Sequence, residues 1–272
     1  MGSISNYLEL ELLDHVFNAA YTPASTIYLA LCTADPTDAG TGAAMNECVD
    51  ANAYARTAIT FSAAASRVVD QAAIVTFPQA SGGGWGDVTH WAIVDSGTHG
   101  AGDMLAHGAF AATKTVNDGN TPSVAASEID VTFSANEVSN YLANIMLDFA
   151  FRNQAFSAPA TYVALCTATI ADADTGSTIT EPSGGSYARE QVNVNGGASP
   201  TWDIAAAGLV DNTHEIALIT ATANWGTVVA VAILDAATLG NLLFYDNGMT
   251  DQDVDSGDTA KFPIGDLDIT LD

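Results

Sequence analysis

The chain has 272 residues, of which 32 are Asp or Glu and only 6 are Lys or Arg, a formal net charge of −26. That balance excludes a basic track for nucleic-acid phosphates, and the same sign argues against an anionic membrane surface. Hydrophobic residues make up 48 % and there are 23 glycines, a composition that fills packed cores and suits many short strands joined by turns.

No stretch approaches the roughly 20 apolar residues that span a bilayer. The opening from Met1 to Phe17 lacks the basic start and unbroken apolar run of a secretory signal. The expectation is a soluble protein made in the cytoplasm. Cys32, Cys48 and Cys166 have neither the number nor the spacing of a disulfide framework or a zinc ribbon. Cys32 and Cys166 fall in apolar strands and are expected to be buried thiols, whereas Cys48 lies in a polar loop and reads as incidental.

Taken in chain order, the first element is a helix. Leu8, Leu12, Leu13, Val16 and Phe17 recur at three-to-four spacing behind Asn6, which is placed to cap the first turn. A strand follows over Ile27 to Thr33, then a long polar loop from Ala34 to Asn52. Further strands are predicted at Tyr54 to Phe61, Ala73 to Phe77, Val88 to Asp95, Leu105 to Ala111 and Ile129 to Phe133. Asp118-Gly119 marks the turn before the last of them.

The same series then begins again. Asn6-Tyr7-Leu8 returns 134 residues later as Asn140-Tyr141-Leu142, and the strand ending Cys32-Thr33-Ala34 returns, with the same offset, as the one ending Cys166-Thr167-Ala168. Tyr54-Ala55-Arg56 answers Tyr187-Ala188-Arg189, Trp85-Gly86 answers Trp225-Gly226, and the apolar strand ending at Asp95 answers the one ending at Asp235. Landmarks repeated in one order establish a duplication. The second helix carries Leu142, Ile145, Met146, Phe149 and Ala150 on one face. Its strands are predicted at Tyr162 to Thr167, Tyr187 to Val194, Glu215 to Thr220, Val228 to Asp235, Leu242 to Gly248 and Leu267 to Leu271.

The expected architecture is therefore mainly β: two tandem β-sandwich, jelly-roll-like domains, 1–134 and 135–272, each prefaced by a short amphipathic helix. Long helical patterns between the strands are missing, which excludes a βαβ fold.

Catalytic and cofactor motifs are missing too. There is no GxGxxG opening a helix, no GxxxxGK[ST], no GxSxG and no HExxH. The runs Gly82-Gly83-Gly84 and Gly184-Gly185 read as flexible turns. Of His15, His90, His99, His107 and His214, His90 and His107 flank the apolar strands of the first copy, and the place of His90 is taken by Ala230 in the second. The loops around Asp35 and Asp38, or Asp172 and Asp174, carry oxygen ligands of the kind calcium uses, but no EF-hand register. They read first as solvated acidic loops. No cofactor and no metal site is expected.

Six residues stand out as structural or interface candidates. Arg56 and Arg189 are notable because cations are so rare, and each is expected to tie a carboxylate and hold the long loop to the sheet. Trp85 and Trp225, each followed by glycine, are expected to cover one end of a core or fill an interface. Tyr54 and Tyr187 open the strands that carry the arginines.

These landmarks resemble a family of small tailed-bacteriophage proteins commonly labelled tail fibre or minor tail proteins. The shared pieces are the Asn-Tyr-Leu helix, the strand Tyr28-Leu29-Ala30-Leu31-Cys32-Thr33, Glu47, Tyr54-Ala55-Arg56, Trp85-Gly86 and Asp95. The second copy is closer to the pattern, with Glu181, Ser186-Tyr187-Ala188-Arg189, Trp225-Gly226, Gly257-Asp258 and Gly265-Asp266-Leu267. In the first copy Ala53 replaces that serine and Asn120 replaces the aspartate after the turn glycine.

The resemblance implies a non-enzymatic component of a tailed virion, most directly a tail- or fibre-associated protein on the exterior. Its implied partners are other virion proteins and copies of itself, with no nucleic acid and no membrane. The competing placements are a capsid decoration (head cement) protein and a carbohydrate- or receptor-binding module. For the last of these, Trp202 in a loop is the candidate aromatic platform, weighed against a role in the core or an interface.

Overall fold

The computed structural model describes residues 2–134 and 137–271. It is mainly β, with two short helices, and the chain divides into two compact units. Unit 1 comprises Met1–Glu9, Thr22–Ser134 and Asn144–Phe156; unit 2 comprises Leu10–Tyr21, Ala135–Ala143 and Ser157–Asp272. The units follow the two repeats except along the helices, where each takes in the C-terminal part of the other repeat's helix.

The first repeat contains β1 (Gly2–Ile4), α1 (Asn6–Phe17), β2 (Ile27–Cys32), β3 (Thr57–Ile59), β4 (Val68–Asp70) and β5 (Val75–Thr76). It ends with β6 (Gly86–Val94), β7 (Met104–Val116), β8 (Ser123–Val124) and β9 (Asp130–Thr132). The second contains α2 (Asn140–Arg152), β10 (Thr161–Cys166), β11 (Glu190–Val192), β12 (Leu209–Val210), β13 (Ile216–Ala217) and β14 (Gly226–Val228). It ends with β15 (Ala230–Leu234), β16 (Leu242–Asp246), β17 (Gln252–Val254), β18 (Lys261–Phe262) and β19 (Ile269–Thr270).

In unit 1 seven strands form one sheet in the order β3-β2-β6-β7-β1-β9-β4, with β5 and β8 paired separately. Strand β1 was not foreseen. It runs antiparallel to β7, with Ser3 opposite His107, and parallel to β9, with Gly2 opposite Val131. In unit 2 the sheet is β11-β10-β15-β16, and β12–β19, β13–β18 and β14–β17 form two-stranded ladders. The pairing logic is the same: Cys32 faces His90 in β2–β6, and Cys166 faces Ala230 in β10–β15.

The central strands are continuous apolar runs because both of their faces are covered. Leu29 to Cys32, Trp91 to Val94, Val163 to Cys166 and Ala230 to Leu234 are all buried. One face of each sheet is lined with small side chains: Ala30, Cys32 and Ala92 in unit 1, and Ala164, Cys166, Ala230 and Ala232 in unit 2. Such residues let the polar loop that follows the strand lie close against it.

Both helices are capped one residue earlier than expected from sequence. The capping oxygen belongs to Ser5, which accepts from the Leu8 amide at 3.3 Å, and to Ser139, which accepts from the Leu142 amide at 3.1 Å. Asn6 and Asn140 are the first helical residues. Each serine hydroxyl also donates to the sheet, Ser5 to the Met104 carbonyl and Ser139 to the Leu242 carbonyl. One small residue thus fixes both the start of the helix and its seat.

The C-terminal halves of the helices explain the composition of the units. Within unit 2, Phe17 stands edge-on to Trp202 at 4.9 Å and packs on Phe244 at 5.2 Å, while Asp14 accepts from the Ala205 amide at 2.8 Å. Within unit 1, Phe151 packs on Phe61 at 5.4 Å, and Asp148 accepts from the Ala64 amide at 2.8 Å. Phe17 and Phe151 are equivalent residues of the two repeats, as are Asp14 and Asp148.

Phe17→Ala is expected to cost about 3–5 kcal/mol and to act on unit 2, although residue 17 belongs to the first repeat. Hydrogen exchange checks this: protection should fall in β10 and β16 and change much less in β2.

Candidate functional site

The six candidate residues fall into two equivalent clusters, one in each unit. In the first, Arg56 lies immediately before β3 and Tyr54 two residues earlier. Arg56 donates Nε to Glu47 Oε1 and Nη2 to Glu47 Oε2, each at 2.8 Å. Its Nη1 donates to the carbonyls of Ser96 and Ala101 at 2.8 and 2.7 Å, and Nη2 donates to the Gly42 carbonyl at 2.7 Å. All five guanidinium N–H groups are therefore committed. The Arg56 side chain is 0 % exposed and that of Glu47 5 %.

The second cluster repeats this arrangement atom for atom. Arg189 donates Nε and Nη2 to the Glu181 carboxylate at 3.0 and 2.8 Å. Nη1 donates to the Ala236 and Leu239 carbonyls, each at 2.7 Å, and Nη2 to the Gly176 carbonyl at 3.2 Å.

A guanidinium can meet three loop carbonyls only if the loop backbones come very close. Gly42 donates its amide to the Gly102 carbonyl, and a Cβ on Gly42 would lie 2.2 Å from the Ala101 oxygen. A Cβ on Gly176 would lie 1.8 Å from the Leu239 oxygen. The acceptor loops are turned by Asp95, which accepts from the Asp103 amide at 2.7 Å, and by Asp235, which accepts from the Asn241 amide at 2.6 Å. Each arginine thus ties together the loop after β2 or β10 and the turn after β6 or β15.

Tyrosine and tryptophan complete each cluster. Tyr54 donates its hydroxyl to Glu47 Oε1 at 2.7 Å and accepts from the Leu31 amide at 3.0 Å. Its ring stands edge-on to Trp85 at 5.1 Å, and Trp85 Nε1 donates to the Asn52 carbonyl at 2.9 Å. Tyr187 donates to Glu181 at 2.8 Å, accepts from the Leu165 amide at 2.9 Å and stands edge-on to Trp225 at 5.1 Å. Trp225 Nε1 donates to the Gly185 carbonyl at 2.9 Å. Trp85 and Trp225 are buried, and the residues just before the tyrosines, Ala53 and Ser186, both have φ of 65°. That left-handed step swings each tyrosine under its loop.

Such a cluster binds its own backbone, with all five N–H groups of each guanidinium spent on its glutamate and on loop carbonyls. Burial, followed by the charge of Glu47, pushes the Tyr54 hydroxyl far above the ordinary tyrosine range. Burial and Glu181 do the same to Tyr187. Burial holds the thiols of Cys48 and Cys166 up at about 12 and that of Cys32 higher still. Cys48 is not incidental: it is buried, and its amide donates to the Leu31 carbonyl.

Three further residues are occupied within the fold. Trp202 is 0 % exposed and donates Nε1 to Thr161 at 2.8 Å, so it offers no platform for a sugar. Asp38 and Asp172 are engaged by side chains of their sheets, Asp38 by His107 at 2.8 Å and Asp172 by Tyr245. Among the described residues no group of three or more His, Cys, Asp or Glu is placed to hold a metal ion. The elements missed from sequence are Gly42 with Gly176 and Ser5 with Ser139, each pair 134 residues apart and recoverable from the repeat itself.

A family model described as Podophage GP4 fiber I protein gp80 matches the chain twice, over residues 3–132 and again over residues 137–270. No curated protein matches the chain.

Arg56→Met strands a carboxylate that is almost fully buried and is expected to cost about 3–5 kcal/mol. Arg189→Met should cost less, because the Glu181 side chain is 20 % exposed and water can reach it. Chemical denaturation of the two variants checks both the size and the order.

A second expectation concerns pH. Raised hydroxyl pKa values favour the neutral tyrosines of the folded state, so their contribution is complete below the ordinary tyrosine pKa of about 10. It is lost as the pH rises above that value. Unfolding free energy should fall on the alkaline side, with Tyr54 and Tyr187 ionising only as the protein unfolds, read from ultraviolet absorbance.

Proposed function

The chain belongs to the family described as Podophage GP4 fiber I protein gp80, and from that premise we propose a position on the exterior of the particle for a fibre subunit built from two like modules. It is a non-enzymatic structural protein of a tailed-phage virion, and its partners are other virion structural proteins. The finer reading takes 1–134 and 135–272 as two jelly-roll-like β-sandwich modules that pack with neighbouring virion proteins and with copies of the same chain. The observation that carries it is the double family match, which spans nearly all of both repeats.

On this reading Arg56, Arg189, Tyr54, Tyr187, Trp85 and Trp225 are scaffold rather than contact residues, since they are spent on the protein's own loops. Docking then falls to the outward turns and the acidic surface. Among the described residues Arg56, Arg189, Lys114, Arg152 and Lys261 each sit in an ion pair, so the surplus of carboxylates is left to set the surface field. A field of that sign suits an exterior position and opposes one packed on DNA.

Immunogold labelling of intact particles tests the placement. Gold at the tail fibres is the expected result, and gold distributed over the icosahedral head would replace this reading with that of a decoration protein.

A further inference from the structure

The two repeats close the same joint with different chemistry. In each, the aspartate that precedes the helix in space, Asp38 or Asp172, gives its backbone carbonyl to the first helical amide, Asn6 at 3.2 Å or Asn140 at 2.8 Å. Its carboxylate is then gripped by one side chain from an equivalent strand position: His107 in β7, opposite Ala92, and Tyr245 in β16, opposite Ala232. Tyr245 donates its hydroxyl to Asp172. His107 places Nε2 at 2.8 Å from Asp38 Oδ1 and Nδ1 at 3.4 Å from Asp35 Oδ1.

We propose that His107 is a proton-operated clasp, which holds the loop after β2 against the sheet when the imidazole is charged and releases it when the imidazole is neutral. The argument is one of donors. An imidazolium donates Nε2–H to Asp38 and sets a positive charge 3.4 Å from Asp35, whereas a neutral ring that keeps the Nε2–H leaves a lone pair on Nδ1 beside the second carboxylate. That second nitrogen gets no relief from water, because Nδ1 is shut off from solvent and makes no hydrogen bond. The closed joint therefore suits the charged ring and penalises the neutral one.

The surroundings do not offset this. The cavity beside the joint, lined by Ser3, Asp35, His90, His107 and Thr132, adds one titratable group, His90 from β6, while β1 and β9 contribute hydroxyls. Ser3 leans on the same pair, 3.4 Å from Asp38 and 3.5 Å from His107 Nε2. In the second repeat the equivalents of His90, His107 and Asp35 are Ala230, Tyr245 and Thr169, so that joint keeps its donor across the range in which histidine titrates. One repeat carries a loop that responds to pH, and its twin is the internal control. Both aspartates are more than half exposed, so the grip is modest and the open population should change by roughly two- to fivefold.

Heteronuclear NOE values of the full chain, measured by NMR from pH 5 to pH 9, provide the test. The expected result is increasing mobility of residues 35–40 as the pH rises, with residues 169–174 unchanged. His107→Tyr, which imports the twin's residue, should abolish the pH response and keep the loop ordered; Asp38→Asn should also abolish it, and His90→Ala should preserve it. A first loop indifferent to pH, an equal response in both loops, or a response that survives His107→Tyr or Asp38→Asn would overturn the proposal. So would its loss in His90→Ala.

Discussion

The constraint on which this structure turns is a charge that has been taken out of water. A guanidinium with no exposed surface is tolerable only when each of its N–H groups has an acceptor and its charge has a counterion. Glu47 and three loop carbonyls satisfy that demand for Arg56. Satisfying it forces the rest: a glycine where two backbones nearly touch, an aspartate that turns the acceptor loop, and a tyrosine that caps the remaining side of the carboxylate. The sheets of small residues beneath give the loop room to lie flat. Charge burial of this kind adds little net stability, but it accepts one loop geometry and rejects others, which is what a subunit with a fixed docking surface requires.

Duplication lets the molecule display which of its features are indispensable. The Arg–Glu–Tyr–Trp cluster recurs with distances that agree within a few tenths of an ångström. The serine caps recur, and so does the phenylalanine near the end of each helix. One place where the repeats diverge is beside the joint between loop, helix and sheet, with His90 and His107 in the first and Ala230 and Tyr245 in the second. A fibre protein can keep two copies of one scaffold and vary the face that each offers.

Much of the fold was legible because its signals are local. Period-four apolar spacing marked both helices, and unbroken apolar runs marked the central strands β2, β6, β10 and β15. The two-residue ladders were half legible. Val75-Thr76 and Ile216-Ala217 fall inside predicted strands, whereas their partners Ser123-Val124 and Lys261-Phe262 carry no pattern of their own and become strands only beside them. Strand β1 was missed for a similar reason: Gly2–Ile4 has no β signature, and its pairing depends on contacts more than a hundred residues away. The helix caps were misplaced by one residue, since Ser5 and Asn6 are both good caps and the sheet carbonyl that selects Ser5 is invisible in sequence. For the site, the scarcity of cations singled out Arg56 and Arg189, but Gly42 looked like any loop glycine until the arginine beneath it was seen. Trp202 was open to a core or a platform role because its sequence neighbours are polar; Phe17, from the other repeat, is among the side chains that bury it.

Native-state hydrogen exchange on the unmodified chain tests the buried-charge account most directly. If the arginine clusters hold the long loops down, the amides of Thr33, Gly42 and Cys48, and of Thr167 and Gly176 in the second repeat, will exchange only through large openings, with protection close to that of the central strands. Rapid exchange of these amides, at rates typical of surface loops and independent of the strands beneath, would contradict it.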